Sequence, residues 1–326
     1  MSLPCLRCPQ LLFFSLIMLM STVLRGQMPD IAAELSWGSE QKAPAGSRLA
    51  KVIHAGRWGA CLFRYKPATG FGQDQYWLEY YDARFTFQGR FELDIPHKPR
   101  ADVEDIIVQN QQLYLLLSRP LPQEDISQLI LRPLTRSGQV TGKTRVLAEI
   151  PLAEKYRRRL YDLTHSRDSS HLLIYNQQRF QAGGKERFSL RVYDGDFKLQ
   201  WSLDEQLDYP DEGFNVIEYQ VDRQGDVYLL GSFREIADER SLPPVHSLFA
   251  YRNNGREVTE YPLQIAGVHL RQMTCQLDQN GELVCAGFYV PHGAKSAAGL
   301  CQVRVNLVQK TTVSTQLVPF EQPEQL

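Results

Sequence analysis

Beyond its first 26 residues the chain has few cysteines, no charge excess and no long apolar run. Cys61, Cys275, Cys285 and Cys301 are the only thiols there. They are too few for a disulfide-dense scaffold, and no C-x-x-C spacing survives among them. Over the whole chain Lys plus Arg number 36 against 37 for Asp plus Glu, and without Arg7 and Arg25 of the first 26 residues 34 against 37, so charge gives no reason to expect nucleic acid or an anionic membrane as partner. None of the seven histidines (His54, His97, His165, His171, His246, His269 and His292) stands at zinc spacing from another His or Cys, and H-E-x-x-H is absent. The nucleophile motif G-x-S-x-G is missing too, since Ser47 lacks the flanking glycines. The acidic turns do not follow the spacing of a calcium loop. Asp194 with Asp196 and Asp211 with Glu212 are carboxylate pairs, but turn and loop roles account for both better than a glycosidase acid and base. The sequence therefore points to no catalytic residue, no metal and no cofactor.

What is present begins at the N-terminus. Arg7 precedes a run of 14 mostly apolar residues, Leu11 to Leu24, and Arg25-Gly26-Gln27 restores polarity. A basic start, a short apolar stretch and a small residue just after it describe a secretory signal peptide over residues 1–26. The run is short for a membrane span, so no integral membrane segment is expected after its removal. Residues 27–49 read as an N-terminal segment and 50–326 as the folded domain. An exported protein, in the periplasm, on the outer membrane or secreted, is the expectation. Export permits a disulfide between Cys275 and Cys285, which flank Asn280 in an expected hairpin, although two small buried apolar side chains explain the pair as well.

Self-similarity is the main signal. "VEDIIVQNQQLYLLL", "YDLTHSRDSSHLLIY", "VIEYQVDRQGDVYLLGSF" and "RQMTCQLDQNGELVCAGFY" each read as a strand, a tight polar turn and a second apolar strand. Their turn markers Asn110, Asp168, Arg223 and Gln279 are 58, 55 and 56 residues apart. A weaker copy, "AKVIHAGRWGACLFRY", turns near Gly56. Each hairpin is followed by another, with Asp194-Gly195 and Asn254-Gly255 among the turns. Helical periodicity is nearly absent. The spacing predicts an all-β chain of about five four-stranded units, a β-propeller, and a pair of β-sandwiches would have no reason to keep so constant an interval.

Within each unit the first-to-second and third-to-fourth connections read as tight turns. The second-to-third connections and the crossings between units, such as "LDEQLDYPDEGFN", read as long loops, which places every long loop on one side of the disc. Loops held by a rigid scaffold carry binding residues. Lys155-Tyr156-Arg157-Arg158-Arg159 in one crossing reads either as a cationic grip for a carboxylate or phosphate or as a solvated charge run beside Glu149 and Glu154. Tyr209 and Asp211 in the next crossing form the aromatic and acidic counterpart. Candidate binding residues are thus Tyr156, Arg157, Arg158, Arg159, Tyr209 and Asp211.

The units "SRDSSHLLIY", "VDRQGDVYLLG" and "DQNGELVCAGFY", with the opening "LSWGSEQKAPAGSRLAKVI", resemble a group of exported proteins of Bacteroidota-type bacteria. That resemblance implies an envelope location and a propeller-like fold, and no activity. It also implies a longer propeller of which these residues are part. The functional expectation is a non-enzymatic binding or scaffolding propeller that contacts an envelope protein or glycan through its long-loop face. The alternative is a secreted hydrolase or lyase of polysaccharide, with acidic and tyrosine residues near the channel.

Overall fold

Alternating side-chain environment makes this chain fold as strands. Along Gly299–Asn306 every second residue is buried, the period-two signature of a sheet whose two faces meet different surroundings. In the computed structural model the described residues are 40–54, 59–69, 74–95, 101–152, 161–178, 183–234, 243–278, 282–307, 309 and 311–320. The chain divides into two units, Met1–Lys42 and Ala43–Leu326, and only residues 40–42 of the first are described. The expected leader, the turn near Gly56, the marker Gln279 and Tyr156, Arg157, Arg158 and Arg159 lie outside the described residues.

Twenty strands form five four-stranded antiparallel sheets, each built from consecutive strands. The first sheet comprises β1 (Arg48–His54), β2 (Ala60–Lys66), β3 (Gln75–Tyr81) and β4 (Phe87–Glu92). The second holds β5 (Asp102–Gln109), β6 (Gln112–Leu121), β7 (Ile126–Leu134) and β8 (Arg145–Pro151). In the third are β9 (Asp162–His165), β10 (His171–Gln177), β11 (Lys185–Asp194) and β12 (Leu199–Pro210). The fourth has β13 (Phe214–Val221), β14 (Val227–Phe233), β15 (Val245–Arg252) and β16 (Glu257–Leu263). The fifth ends the series with β17 (Val268–Leu277), β18 (Leu283–Pro291), β19 (Gly299–Asn306) and β20 (Thr311–Pro319). No helix occurs among the described residues.

Neighbouring sheets approach one another through their first strands, β1 to β5, β9 to β13 and β13 to β17, which places those strands innermost. The five sheets are the blades of a β-propeller, as the repeat predicts. Four buried clusters glue them face to face. Cys61, Leu78 and Leu93 of the first blade meet Ile106 and Leu115 of the second. Leu116 and Leu131 meet Leu172 and Ile174 of the third. Leu190 and Trp201 meet Leu229 and Phe249 of the fourth, and Leu230 and Leu248 meet Cys285 and Val303 of the fifth. Full burial of each such side chain contributes about 1.5–3 kcal/mol relative to exposure. Among the described residues no such cluster joins the fifth blade to the first, and Leu49, Val52, Leu300, Val318 and Phe320 of those blades remain exposed.

Turn chemistry follows the sequence. Asn110 and Gln111 connect β5 and β6 with φ of 49° and 63°, the left-handed pair of a two-residue hairpin turn. Asp194 Oδ1 accepts the amides of Asp196 and Lys198, each at 2.9 Å, and Asp222 does the same for Gln224 and Asp226. Cys275 and Cys285 lie directly opposite each other with free, buried thiols.

Loop lengths depart from expectation in three places. β6 and β7 extend toward each other, so the connection expected over "SRPLPQEDISQ" shrinks to 122–125. The crossing after the third blade is mostly β12, leaving only 211–213 as turn, because Leu203 and Leu207 alternate inward and hold it against β11. Conversely, the connection 135–144 between β7 and β8 is long and lies on the side expected to carry tight turns. It folds back through a Leu134–Val140 bridge.

Candidate functional site

Four of the five innermost strands share a local irregularity, and β9 alone pairs in unbroken register. β1 carries a bulge between Leu49 and Lys51, β5 between Val103 and Asp105, β13 between Val216 and Glu218, and β17 between Arg271 and Thr274. A bulge inserts a residue and re-aims the side chains beside it. Registers across the sheets make Lys51, Asp105, Asp162, Glu218 and Thr274 equivalent, each leading a row: Lys51–Phe63–Leu78, Asp105–Leu116–Leu131, Asp162–Tyr175–Leu190, Glu218–Leu230–Leu248 and Thr274–Ala286–Gln302. Polar side chains thus ring the propeller's centre, one per blade.

Several of them clasp neighbouring blades. Lys51 Nζ lies 2.6 Å from Asp105 Oδ2 and donates to the Ile106 carbonyl at 3.2 Å. Glu218 Oε2 accepts from the Thr274 hydroxyl at 2.7 Å and from the Cys275 amide at 3.0 Å. Gln220 bridges the same strands, donating to the Cys275 carbonyl and accepting from the Leu277 amide. Gln109 donates to the Ser169 carbonyl at 2.7 Å.

Between the inner strands of the first three blades lies a cleft of about 220 Å³, lined by Ala50, Lys51, Phe63, Glu104, Asp105, Tyr161, Asp162 and Leu163. Phe63 and Tyr161 are nearly buried and form its floor; the Tyr161 hydroxyl donates to the Ser127 carbonyl at 2.9 Å. Beside it, Tyr175 stacks on Tyr219 with ring centroids 4.9 Å apart. Burial, and then the Asp162 charge, raises the Tyr219 hydroxyl well above its ordinary value. His165, at the end of β9, has its Nε2 buried and without a hydrogen-bond partner among the described residues. Burial first and the Lys51 charge second bring its imidazole down to about 4, with Asp105 pulling the other way. The ring is therefore neutral at physiological pH.

Of the sequence candidates, Tyr209 sits at the end of β12 against Phe214, Phe233 and Phe249, and its hydroxyl donates to Glu260 Oε1 at 2.5 Å. Asp211 turns toward Glu186, which is fully buried and receives Gln177 Nε2 on both oxygens at 2.9 and 3.1 Å. Burial pushes the Glu186 carboxyl up to about 7, the Gln177 amide opposing and Asp211 adding to the shift. Tyr209 and Asp211 belong to the junction of the third and fourth blades, and neither lines the inner cleft. Among the described residues no three His, Cys, Asp or Glu side chains converge as metal ligands. Burial raises the thiols of Cys61 and Cys285 to about 12, so both stay protonated and pack as small apolar groups.

The likeness to known proteins is one of shape alone. No family model and no curated protein matches the chain, so the resemblance to exported Bacteroidota-type proteins has no counterpart there. Solved structures similar to it include the β-propeller domain of the Trilobed protease from Pyrococcus furiosus, at 8% identity and TM-score 0.46 over 85% of this chain and 72% of that one. The polysaccharide lyase Uly1 is similar at 10% identity and TM-score 0.41, covering 80% and 78%. An endo-arabinase from Bacteroides thetaiotaomicron gives 10% and 0.33, covering 81% and 90%. Likeness at this level transfers no activity and no ligand.

Proposed function

We propose that the chain is an exported, non-enzymatic binding propeller that holds one sugar residue of a glycan in the inner-strand cleft. The observation that carries this reading is the lining itself. Carboxylates of Asp105 and Asp162 can accept hydrogen bonds, Lys51 can donate, and the rings of Phe63 and Tyr161 offer an apolar floor. At about 220 Å³ the cleft is smaller than the roughly 300–1,000 Å³ of drug-sized ligand pockets and suits a single ring. Its lining is only eight residues, whereas a stable protein interface takes roughly 20–30 residues a side. Hydrolase or lyase chemistry would need carboxylates free to trade protons. Asp105 is engaged by Lys51, and Glu218 by Thr274 and Cys275, which weighs against catalysis.

Binding of a saccharide panel, followed by saturation-transfer NMR, tests the reading. Asp162→Asn should weaken any captured glycan about tenfold, the loss of a charge-assisted hydrogen bond. A glycan whose binding ignores Asp162, or release of new reducing ends by the wild-type protein, would sink it. Export is tested separately, by mass spectrometry of protein from its host. The mature chain should begin near Gln27, and an intact Met1 in the membrane fraction would contradict the proposal.

A further inference from the structure

The cleft already contains an ammonium group. Lys51 reaches from β1 across to β5, where Nζ takes Asp105 Oδ2 at 2.6 Å and the Ile106 carbonyl at 3.2 Å. Counted from the two-residue turn at Asn110-Gln111, Gln109–Gln112 and Ile107–Tyr114 are the hydrogen-bonded pairs of this hairpin and Ile106–Leu115 is not, so the Ile106 carbonyl points to the edge of β5 away from β6. A primary ammonium has three donors and no acceptor. Two of the three are satisfied by a carboxylate and an edge carbonyl that the bulge at Glu104 brings together. His165, held neutral, stands close enough to feel both Lys51 and Asp105.

The occupant is loosely held. The Lys51 side chain is 42% exposed and that of Asp105 22%, and exposed ion pairs are favoured by no more than about fivefold in an equilibrium constant. Its long aliphatic stem lets the head swing into solvent and keep its hydration. A ligand ammonium entering the cleft would therefore meet a formed carboxylate–carbonyl cradle and displace a group that leaves at little cost.

We propose that Lys51 is an internal stand-in for a ligand amine, and that the sugar the cleft takes is an amino sugar with a free, protonated amine. This rests on the glycan reading above and narrows it. Lys51 lowers amine affinity by competing for Asp105, while the remaining lining grips the ring.

Glucosamine and its N-acetylated form share a ring and differ in that charge and in the acetyl group, so the change in their affinity ratio between variants at Lys51 and Asp105 reads the cradle. Lys51→Met should raise the preference for glucosamine over N-acetylglucosamine by about fivefold, the competition an exposed pair can exert. Lys51→Arg, which keeps a cation in place, should leave the ratio near that of the wild type. Asp105→Asn should abolish the preference, with the melting temperature confirming that each variant is folded. If both sugars bind through Asp162 but the ratio is the same in wild type and Lys51→Met, the amine subsite is wrong and the glycan reading stands. If neither sugar binds, and Nα-acetyl-lysine methylamide binds more tightly to Lys51→Met, the amino-sugar assignment falls together with the glycan reading.

Discussion

Glu79→Ala is expected to destabilise the protein by about 3 kcal/mol, because it leaves two arginines facing each other with nothing between them. Glu79 lies mid-strand in β3 with 1% of its side chain exposed, Arg64 Nε at 2.7 Å on one oxygen and Arg90 at 2.7 Å on the other. Arg90 pairs directly across the strands, and Arg64 comes from the strand on the opposite side. Removing one partner of a buried pair costs about 3–5 kcal/mol. The lower end applies here because Arg64 and Arg90 are 18% and 28% exposed and regain some hydration. The triad stands on the face of the first blade turned away from the second, together with Val52 and Leu62. No buried cluster of the described residues packs another blade on that face, and the triad caps it with polar groups. Replacing all three residues at once, Arg64→Met, Glu79→Leu and Arg90→Met, should return most of the lost stability, since well-packed apolar groups often replace a buried ionic cluster without loss. It should also make the protein self-associate, because Leu49 and Val52 on that blade are already exposed and the apolar patch would be continuous. Chemical denaturation checks the first expectation and light scattering the second. A stable, monodisperse triple variant would show that the triad does not act as a cap.

The propeller was legible because turns repeat more faithfully than anything else in this chain. Asn110, Asp194 and Asp222 close their turns through left-handed backbone or carboxylate-to-amide bonds, as their residue types imply. The inner ring was hidden, although Lys51, Asp105, Asp162, Glu218 and Thr274 recur at nearly the same interval as the turns. Period-two reading assumes an unbroken pleat, and a bulge at Ala50, Glu104 or Ile217 moves the following residue to the other face. Glu79 was hidden for another reason. Within "YWLEYY" an acid looks solvent-facing, and only the neighbouring strands reveal that Arg64 and Arg90 enclose it. Loops misled where strands ran on past apparent breakers: Pro120 and Pro210 both lie inside strands, at ends where the missing amide costs the ladder little.

Glu186→Gln is expected to stabilise the protein at pH 8 by about 2–3 kcal/mol and to have little effect near pH 4.5. Glu186 is the second residue of β11 and has no exposed surface, its carboxyl enclosed by Gln177 from β10 and Asp211 from the turn before β13. The Lys185–Asp208 ion pair beside it is exposed on both sides and screens little. A buried acid beside a second carboxylate resists ionisation, so the folded carboxyl titrates at about 7 where an ordinary one titrates near 4.5. Its contribution is therefore fully present below the ordinary carboxyl value and is lost as pH rises through about 7, since the unfolded chain releases the proton more easily. A displacement of that size corresponds to about 3 kcal/mol at alkaline pH. Glutamine is neutral at every pH, so its amide nitrogen can donate to Asp211 and its oxygen can still accept from Gln177. Asp211→Asn should recover part of the same stabilisation by removing the like charge while leaving the burial. Melting temperature measured from pH 4.5 to 8 should fall steadily for the wild type and stay flatter for Glu186→Gln. Parallel curves for the two proteins would mean that Glu186 ionises as an ordinary carboxylate and that the junction of the third and fourth blades is insensitive to its charge.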